Sequence, residues 1–167
     1  MNILETPVIA RMRRNHALEH ATIHVLTQRN PYLRLVGRTG LRGFYLYGEV
    51  ETEEVASAAS EALARLRAGE RYLAIHPRCG TNLAVAGVLA GLASFVALSE
   101  RRKSRLAQLP QVLLAATAAV IVAQPLGLAL QEYVTTSTDL EGVTIEGIRR
   151  QVRGNVTVHE VIVRSED

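Results

Sequence analysis

Two long runs without a charged side chain dominate the pattern of apolar and polar positions. They cover residues 79–99 and 106–131, which are 21 and 26 residues long. A helix needs about 20 apolar residues to cross the hydrocarbon core of a bilayer. The runs therefore predict two transmembrane helices, at about Thr81–Leu98 and Leu109–Tyr133, with a kink at Pro125. Because the connection between them is short, we expect an antiparallel hairpin rather than a purely soluble globular domain.

The residues before the first run predict a helix, a β-hairpin and a second helix. Thr6-Pro7 is typical of a helix start, and Asn30-Pro31 is typical of a helix end. Segments 33–36 and 43–50 are rich in β-branched and aromatic residues and are separated by glycines, so they predict a hairpin. Thr52 is expected to cap the second helix, whose inner face is small and consists mainly of alanine.

The end of the chain returns to the alternation that is typical of strands. Val143–Val152 and Val156–Val163 predict two strands with a turn at Gly154-Asn155, and Leu73–Ile75 predicts one further short strand. The expected fold class is α+β: a small domain of the N-terminal helix, the β-hairpins and the alanine-faced helix, built around the membrane hairpin. The expected divisions are an N-terminal α+β part (1–78), the transmembrane hairpin (79–133) and a C-terminal β part (134–167) that packs with the first.

Composition and charge limit the partners of this chain. The 167 residues carry a formal net charge of +3, which the anionic lipids of a bilayer are sufficient to explain. The chain has no Trp and no aromatic RNA-binding motif, so we expect no nucleic-acid partner. Small residues in both apolar runs favour close helix packing, within the hairpin or between copies in a homo-oligomer. These small residues are Gly87, Gly91, Ala115, Ala119 and Ala123.

The segment with the most chemistry is a cluster of histidines on the first predicted helix. His16 and His20 are four residues apart, so they lie on one helix face at a spacing that suits two ligands of one zinc ion. Glu19 completes the pattern H-x-x-E-H, in which the carboxylate activates a zinc-bound water. His24 lies about 12 Å along the axis from His16, so His24 would share a metal with His20 instead.

A further metal ligand has to come from another part of the chain. His76 and Cys79 are the strongest candidates, since they lie three residues apart in a loop before the first apolar run. His159, Glu54 and Glu61 are alternatives. Cys79 is the only cysteine, which excludes an internal disulfide. The opposing interpretation is that the histidines form structural hydrogen bonds and Glu19 pairs with an arginine.

Two resemblances add to these interpretations. The strings RNHALEHATIHVL, GFYLYGEV, LAIHPRCGTN and YVTT resemble an uncharacterised family of small bacterial membrane proteins with the same layout over nearly the whole chain. That resemblance implies the architecture and no activity. Locally, His16, Glu19 and His20 are similar to the inverted zinc motif of the pitrilysin-like peptidases, which implies two zinc ligands and a general base. The third ligand of those peptidases is a distant glutamate, and it has no recognisable equivalent here.

The orientation in the membrane follows from two opposing signals. The basic connection with Arg101, Arg102, Lys103 and Arg105 favours a loop on the cytoplasmic side. The first thirty residues lack an apolar signal-peptide core, however, and export of the arginine-rich N-terminal part is the harder requirement. We therefore expect a bacterial cytoplasmic (inner) membrane protein whose α+β domain faces the cytoplasm.

Three functions are compatible with these features. The first is a membrane-anchored zinc hydrolase, most plausibly a peptidase that acts on peptides at the membrane surface. In it, zinc is bound by His16 and His20, Glu19 is the base, and His76 or Cys79 helps to close the site. The second is a non-catalytic membrane subunit or adaptor with structural histidines and a membrane-protein partner. The third is a sensor of metal or pH.

Overall fold

The computed structural model describes residues 3–98 and 104–165, and the chain forms two compact units. The α+β unit consists of Met1–His76 and Glu132–Asp167, and the apolar unit consists of Pro77–Gln131. In the described residues there are four α-helices and one four-stranded antiparallel sheet, so the predicted α+β class is confirmed.

The α+β unit contains two of the α-helices and the whole sheet. Its elements in chain order are a 3₁₀ helix (Ile3–Glu5), α1 (Pro7–Arg29), β1 (Val36–Gly40), β2 (Gly43–Tyr47), α2 (Thr52–Arg67), a 3₁₀ helix (Arg71–Ala74), β3 (Val143–Arg153) and β4 (Val156–Ser165). The strand order is β1-β2-β4-β3, with Leu46 of β2 opposite His159 of β4. The C-terminal hairpin therefore pairs with the N-terminal one, and a single sheet connects the two ends of the chain.

The core of this unit lies between the sheet and the helices α1 and α2. Leu18 and Leu26 of α1 pack in one buried cluster with Leu66 of α2 and Phe44 and Leu46 of β2. The alanines on the inner face of α2 belong to the same cluster, so α2 approaches its neighbours closely. The burial of these apolar side chains is the main source of stability for the unit.

Three predicted elements of this unit differ from the observed ones. The first strand was predicted at 33–36 but lies at Val36–Gly40, across two glycines of the segment. Leu73–Ile75 was predicted as a strand, but most of it lies in a 3₁₀ helix. Thr52 was predicted as the cap of α2, but Glu51 occupies that position. The Thr52 hydroxyl instead forms a hydrogen bond with His159, at 3.1 Å from its Nε2.

The apolar unit consists of two long helices that contact each other. They are α3 (Gly80–Ala97) and α4 (Arg105–Leu130), and a π-helical turn (Gln131–Thr135) follows α4. Asn82, near the start of α3, accepts a hydrogen bond of 2.8 Å from the Gln131 amide. At the other end of α3, Val96 and Ala97 line the same groove as Gln111 of α4. The two helices are therefore antiparallel, and both are long and apolar enough to span a membrane.

One close contact of α3 and α4 is at a glycine that the small-residue pattern did not single out. A Cβ at Gly127 would lie 2.3 Å from Oδ1 of Asn82, whereas a Cβ at Gly87 or Gly91 would have no atom of residues 3–98 or 104–165 within 4 Å outside the backbone of its own helix. Among the described residues, the Gly87–Gly91 pair therefore does not pack closely against α4, and its packing between copies in a homo-oligomer stays a prediction. Alanines of α4 that include Ala115 and Ala119 do border the groove with α3. Arg101, Arg102 and Lys103, which carried the prediction of orientation, lie outside the described residues.

Candidate functional site

Four histidines of the α+β unit lie next to one another. Three of them are on α1, where the spacing of four residues places His16, His20 and His24 on one side of the helix. His76 follows the second 3₁₀ helix. The ring centroids are 4.2 Å apart for His16 and His20, 5.8 Å for His20 and His76, and 5.1 Å for His24 and His76. We call these four side chains the histidine cluster.

Backbone carbonyl groups hold two rings of the histidine cluster in the same orientation. Nδ1 of His16 lies 2.9 Å from the carbonyl oxygen of Thr135, and Nδ1 of His20 lies 2.7 Å from that of Ala74. A carbonyl oxygen accepts a hydrogen bond but cannot donate one, so Nδ1 carries the proton in both rings. In the neutral imidazole the lone pair for a metal then lies on Nε2, the arrangement usual for metal-ligating histidines.

His24 has the opposite orientation. Its Nε2 lies 3.0 Å from the carbonyl oxygen of Ile75, so Nε2 is the donor and the lone pair of the neutral ring lies on Nδ1. Only 2% of His20 is exposed, whereas His16 and His24 are both half-buried. The carbonyls of Ala74 and Ile75 directly precede His76. The same short segment therefore orients two of the α1 rings and supplies the fourth ring.

Glu19 is buried on the side of α1 that faces β1. The hydroxyl of Thr39 donates a short hydrogen bond to Oε2 of Glu19. A Cβ at Gly37 would lie 2.0 Å from Oε1 of Glu19, so only glycine leaves room for this carboxyl group. The amide of Asn15, one turn earlier, donates a 2.8 Å hydrogen bond to the carbonyl of Gly40. Polar contacts thus attach α1 to β1, and the position of the Glu19 carboxyl group explains the glycine at position 37.

The remaining residues that the sequence predicted as metal ligands form other contacts. Cys79 belongs to the apolar unit, where its Sγ accepts a hydrogen bond of 3.4 Å from the Thr81 amide at the start of α3. The carboxylate of Glu61 pairs with Arg29 at 2.6 Å and with Arg65 at 3.3 Å, and Glu54 is exposed on α2. The part of Cys79 in a metal site stays a prediction.

His159 is fully buried on β4, beside the first turn of α2. Burial lowers its pKa below the ordinary value, and the charge of Arg150 lowers the pKa further. Its Nε2 contacts Thr52, and its Nδ1 has no hydrogen-bond partner among the described residues. This environment favours a neutral ring that packs in the core rather than a ligand of the histidine cluster.

The sequence singled out the histidines but not the groups that orient them. The carbonyls of Ala74, Ile75 and Thr135 are backbone atoms, so no residue type marks them. Thr39 lies in a strand where threonine is ordinary. Gly37 did carry a signal, because a glycine inside a strand often marks a close approach of another group.

Comparisons with known proteins place the chain in a family without a described activity. A family model described as a domain of unknown function (DUF6391) matches residues 11–148. An uncharacterised protein of Picosynechococcus sp. is 42% identical over 139 residues, which are 77% of this chain and 67% of that protein. No solved structure matches the chain. The resemblance to a family without an assigned activity is confirmed, and the similarity to the pitrilysin-like peptidases stays a prediction.

Proposed function

The chain belongs to the DUF6391 family of domains of unknown function, and from the histidine cluster we propose that it is a membrane-anchored metal-binding protein. The observation that carries this proposal is the shared orientation of His16 and His20. Both rings donate Nδ1–H to a backbone carbonyl, which directs the lone pair of each neutral ring to Nε2. One turn of helix separates the two residues, as in other zinc sites with two ligands on one helix.

Zinc is the metal that this set of donors favours. Imidazole nitrogen is a borderline ligand that suits zinc, whereas magnesium and calcium prefer oxygen. His76 is the third ligand in this proposal, because its ring lies against that of His20. Cys79 is the candidate for a fourth, since it follows His76 by three residues in the chain.

The membrane anchor in this proposal is the pair α3 and α4. Large apolar side chains on both helices are exposed, with Phe95 at 77% and Leu114 at 73%. Such a surface is unusual for a soluble protein and ordinary for one that lies in lipid. The proposed location is the cytoplasmic membrane, with the α+β unit on the cytoplasmic side. Reporter fusions to each terminus test this orientation.

The finer proposal is that the bound metal hydrolyses peptides at the membrane surface. In that reaction His16 and His20 would hold the zinc, which would supply Lewis-acid activation of a water molecule, and Glu19 would be the base that accepts a proton from that water. The H-x-x-E-H pattern on a single helix supports this role.

A second function, metal binding without turnover, has its own support. Thr39 and Gly37 hold the Glu19 carboxyl group against β1, as expected of a side chain that attaches a helix to a sheet. A general base must instead lie within hydrogen-bond reach of the water it activates. The behaviour of Glu19→Gln separates the two functions.

Elemental analysis of the full chain in neutral detergent tests the metal site. We expect about one zinc per chain in the wild type and a loss of zinc in the double variant His16→Ala/His20→Ala. His159→Gln is the matched control, because it removes a buried histidine outside the histidine cluster and should keep the metal. A well-folded wild type without metal after dialysis against zinc would refute the proposal.

The same preparations decide between hydrolysis and binding alone. Cleavage of a quenched fluorescent peptide library by the zinc-loaded wild type, lost in Glu19→Gln while zinc is retained, supports the peptidase. Zinc retained by both proteins with no cleavage by either supports the non-catalytic function.

A further inference from the structure

A second site with its own chemistry lies at the opposite end of the sheet from the β3–β4 turn. A surface cavity of about 340 Å³ is lined by three arginines from three different elements. Arg11 comes from α1, Arg42 from the turn between β1 and β2, and Arg164 from the end of β4. This cavity belongs entirely to the α+β unit, and the histidines are not among its lining residues.

Among the residues that the structure describes, the positive charge that lines this cavity exceeds the negative charge. Glu146 is the only acidic residue in this described lining, and Oε1 of Glu146 lies 3.4 Å from Nη1 of Arg164. Within the part of the chain that the structure describes, Arg42 forms no ion pair. Glu160 borders a neighbouring cavity with Arg42, but it accepts a hydrogen bond from the Tyr45 hydroxyl at 3.0 Å. A concave surface with excess positive charge attracts anions.

The backbone holds the arginine of the turn in place. The carbonyl of Arg42 accepts a 2.9 Å hydrogen bond from the Val163 amide, so the turn is attached to β4 next to Arg164. Gly43 has a φ of 134°, and a Cβ there would lie 1.9 Å from the carbonyl oxygen of Val161. Backbone contacts between the β1–β2 turn and β4 therefore place Arg42 next to Arg164, and this placement does not depend on the two side chains.

A buried hydroxyl group also lines the cavity. Oγ of Ser165 is shielded from solvent and has no hydrogen-bond partner among residues 3–98 and 104–165. A buried hydroxyl without a partner is unfavourable. A small rotation of the Ser165 side chain toward the cavity would let an oxygen of a bound anion accept this hydrogen bond.

We propose that this cavity binds a phosphate group. Guanidinium groups form paired hydrogen bonds with phosphate oxygens, and those oxygens point in tetrahedral directions. Donors that come from three elements and a hydroxyl suit a tetrahedral anion better than a planar carboxylate. The phosphate belongs either to a soluble ion or ester or to the headgroup of an anionic lipid, and both present the same oxygens to the arginines.

The thermal unfolding midpoint of the full chain in an uncharged detergent tests this site. We expect a saturable rise with inorganic phosphate when chloride keeps the ionic strength constant, because a ligand of the native state stabilises it. Arg42→Gln should need about tenfold more phosphate for the same rise, since it removes one charged donor. Its fold should survive, because only the backbone of Arg42 holds the turn.

The matched control is Arg149→Gln, which removes one exposed arginine of β3 that does not line the cavity. A second arm replaces phosphate by phosphatidylglycerol in the micelles and compares it with diacylglycerol, which lacks the phosphate. A rise that depends on Arg42 in the first arm identifies a soluble phosphate, and one in the second arm alone identifies a lipid headgroup. The proposal would be overturned if the unfolding midpoint rose in neither arm. It would also be overturned if Arg149→Gln weakened the rise in the midpoint as much as Arg42→Gln does.

Discussion

The contact between Glu19 and β1 makes Gly37→Ala the sharpest test of how α1 is held. The new Cβ would lie 2.0 Å from Oε1 of Glu19, 2.7 Å from its Cδ and 2.9 Å from its Cγ. Because Cγ is also too close, a rotation of the carboxyl group alone does not relieve the collision. The whole side chain has to move, and it then loses the hydrogen bond from Thr39.

The size of the effect follows from two opposing contributions. A hydrogen bond to a charged group stabilises the native state by about 1.5–3 kcal/mol. Replacing a strand glycine by alanine offsets about 0.5–1 kcal/mol of this loss, because the unfolded chain becomes less flexible. We therefore expect the free energy of unfolding to fall by about 1–2 kcal/mol, which lowers the unfolding midpoint by about 2–8 °C in a chain of this length.

Thermal unfolding in neutral detergent measures this change, and Gly40→Ala is its control. Gly40 lies in the same strand without a positive φ, and its Cβ would meet only Tyr45 Cε2 at 3.4 Å and the Gly43 carbonyl oxygen at 3.6 Å. That variant should be as stable as the wild type or slightly more stable. In a Glu19→Ala background, Gly37→Ala should not lower the free energy of unfolding, because the atoms with which the new Cβ collides are gone. Equal midpoints for Gly37→Ala and Gly40→Ala would refute the reasoning.

Three further predictions concern other parts of the chain. Burial lowers the pKa of His159 in the folded protein, so the imidazole binds a proton more readily in the unfolded chain than in the folded one. The free energy of unfolding should therefore fall as the pH drops below about 6.5, and it should level off below the folded-state pKa. Urea titrations between pH 7.5 and 5 measure this slope, which should be smaller in His159→Gln. Gly127→Ala should destabilise the apolar unit, because the new Cβ would lie 2.3 Å from Asn82 Oδ1, whereas Gly87→Ala should not. Circular dichroism during unfolding in detergent compares the stabilities of the two variants, and equal stabilities would count against the observed packing. If the histidine cluster holds zinc as proposed, removal of the zinc by a chelator should increase amide exchange in residues 72–76 and 133–137, because these segments supply the carbonyls that orient the rings. Unchanged exchange in a protein that has lost its zinc would contradict this coupling.

Local signals in the sequence were sufficient for most of the elements. The Thr6-Pro7 start and the Asn30-Pro31 stop predicted α1, which runs from Pro7 to Arg29. Alternation and a Gly-Asn turn predicted β3 and β4. The alternation matches burial in β4, where His159, Val161 and Val163 are buried, whereas only Val143 of β3 is buried. Length and the absence of charge predicted α3 and α4.

The elements that the sequence mispredicted depend on tertiary contacts. Val36–Gly40 forms a strand because β2 pairs with it and the carboxyl group of Glu19 fills the space above Gly37. Thr52 does not cap α2, because its hydroxyl contacts His159, more than a hundred residues away. Neither the Glu19 contact of β1 nor the His159 contact of Thr52 can be recognised from the neighbouring residues in the chain. Local propensity therefore predicted these two elements incorrectly.

The histidine pair was predictable once α1 was predicted, since a spacing of four residues on a helix fixes a common face. What the spacing could not supply is the source of the two carbonyls. Ala74 lies three residues before the apolar unit begins at Pro77, and Thr135 lies four residues after it ends at Gln131. His16 and His20 therefore hold the two segments through which the chain enters and leaves its apolar helices. A metal on these rings would stiffen both segments at once, which gives a metal site here a structural consequence even without any hydrolysis.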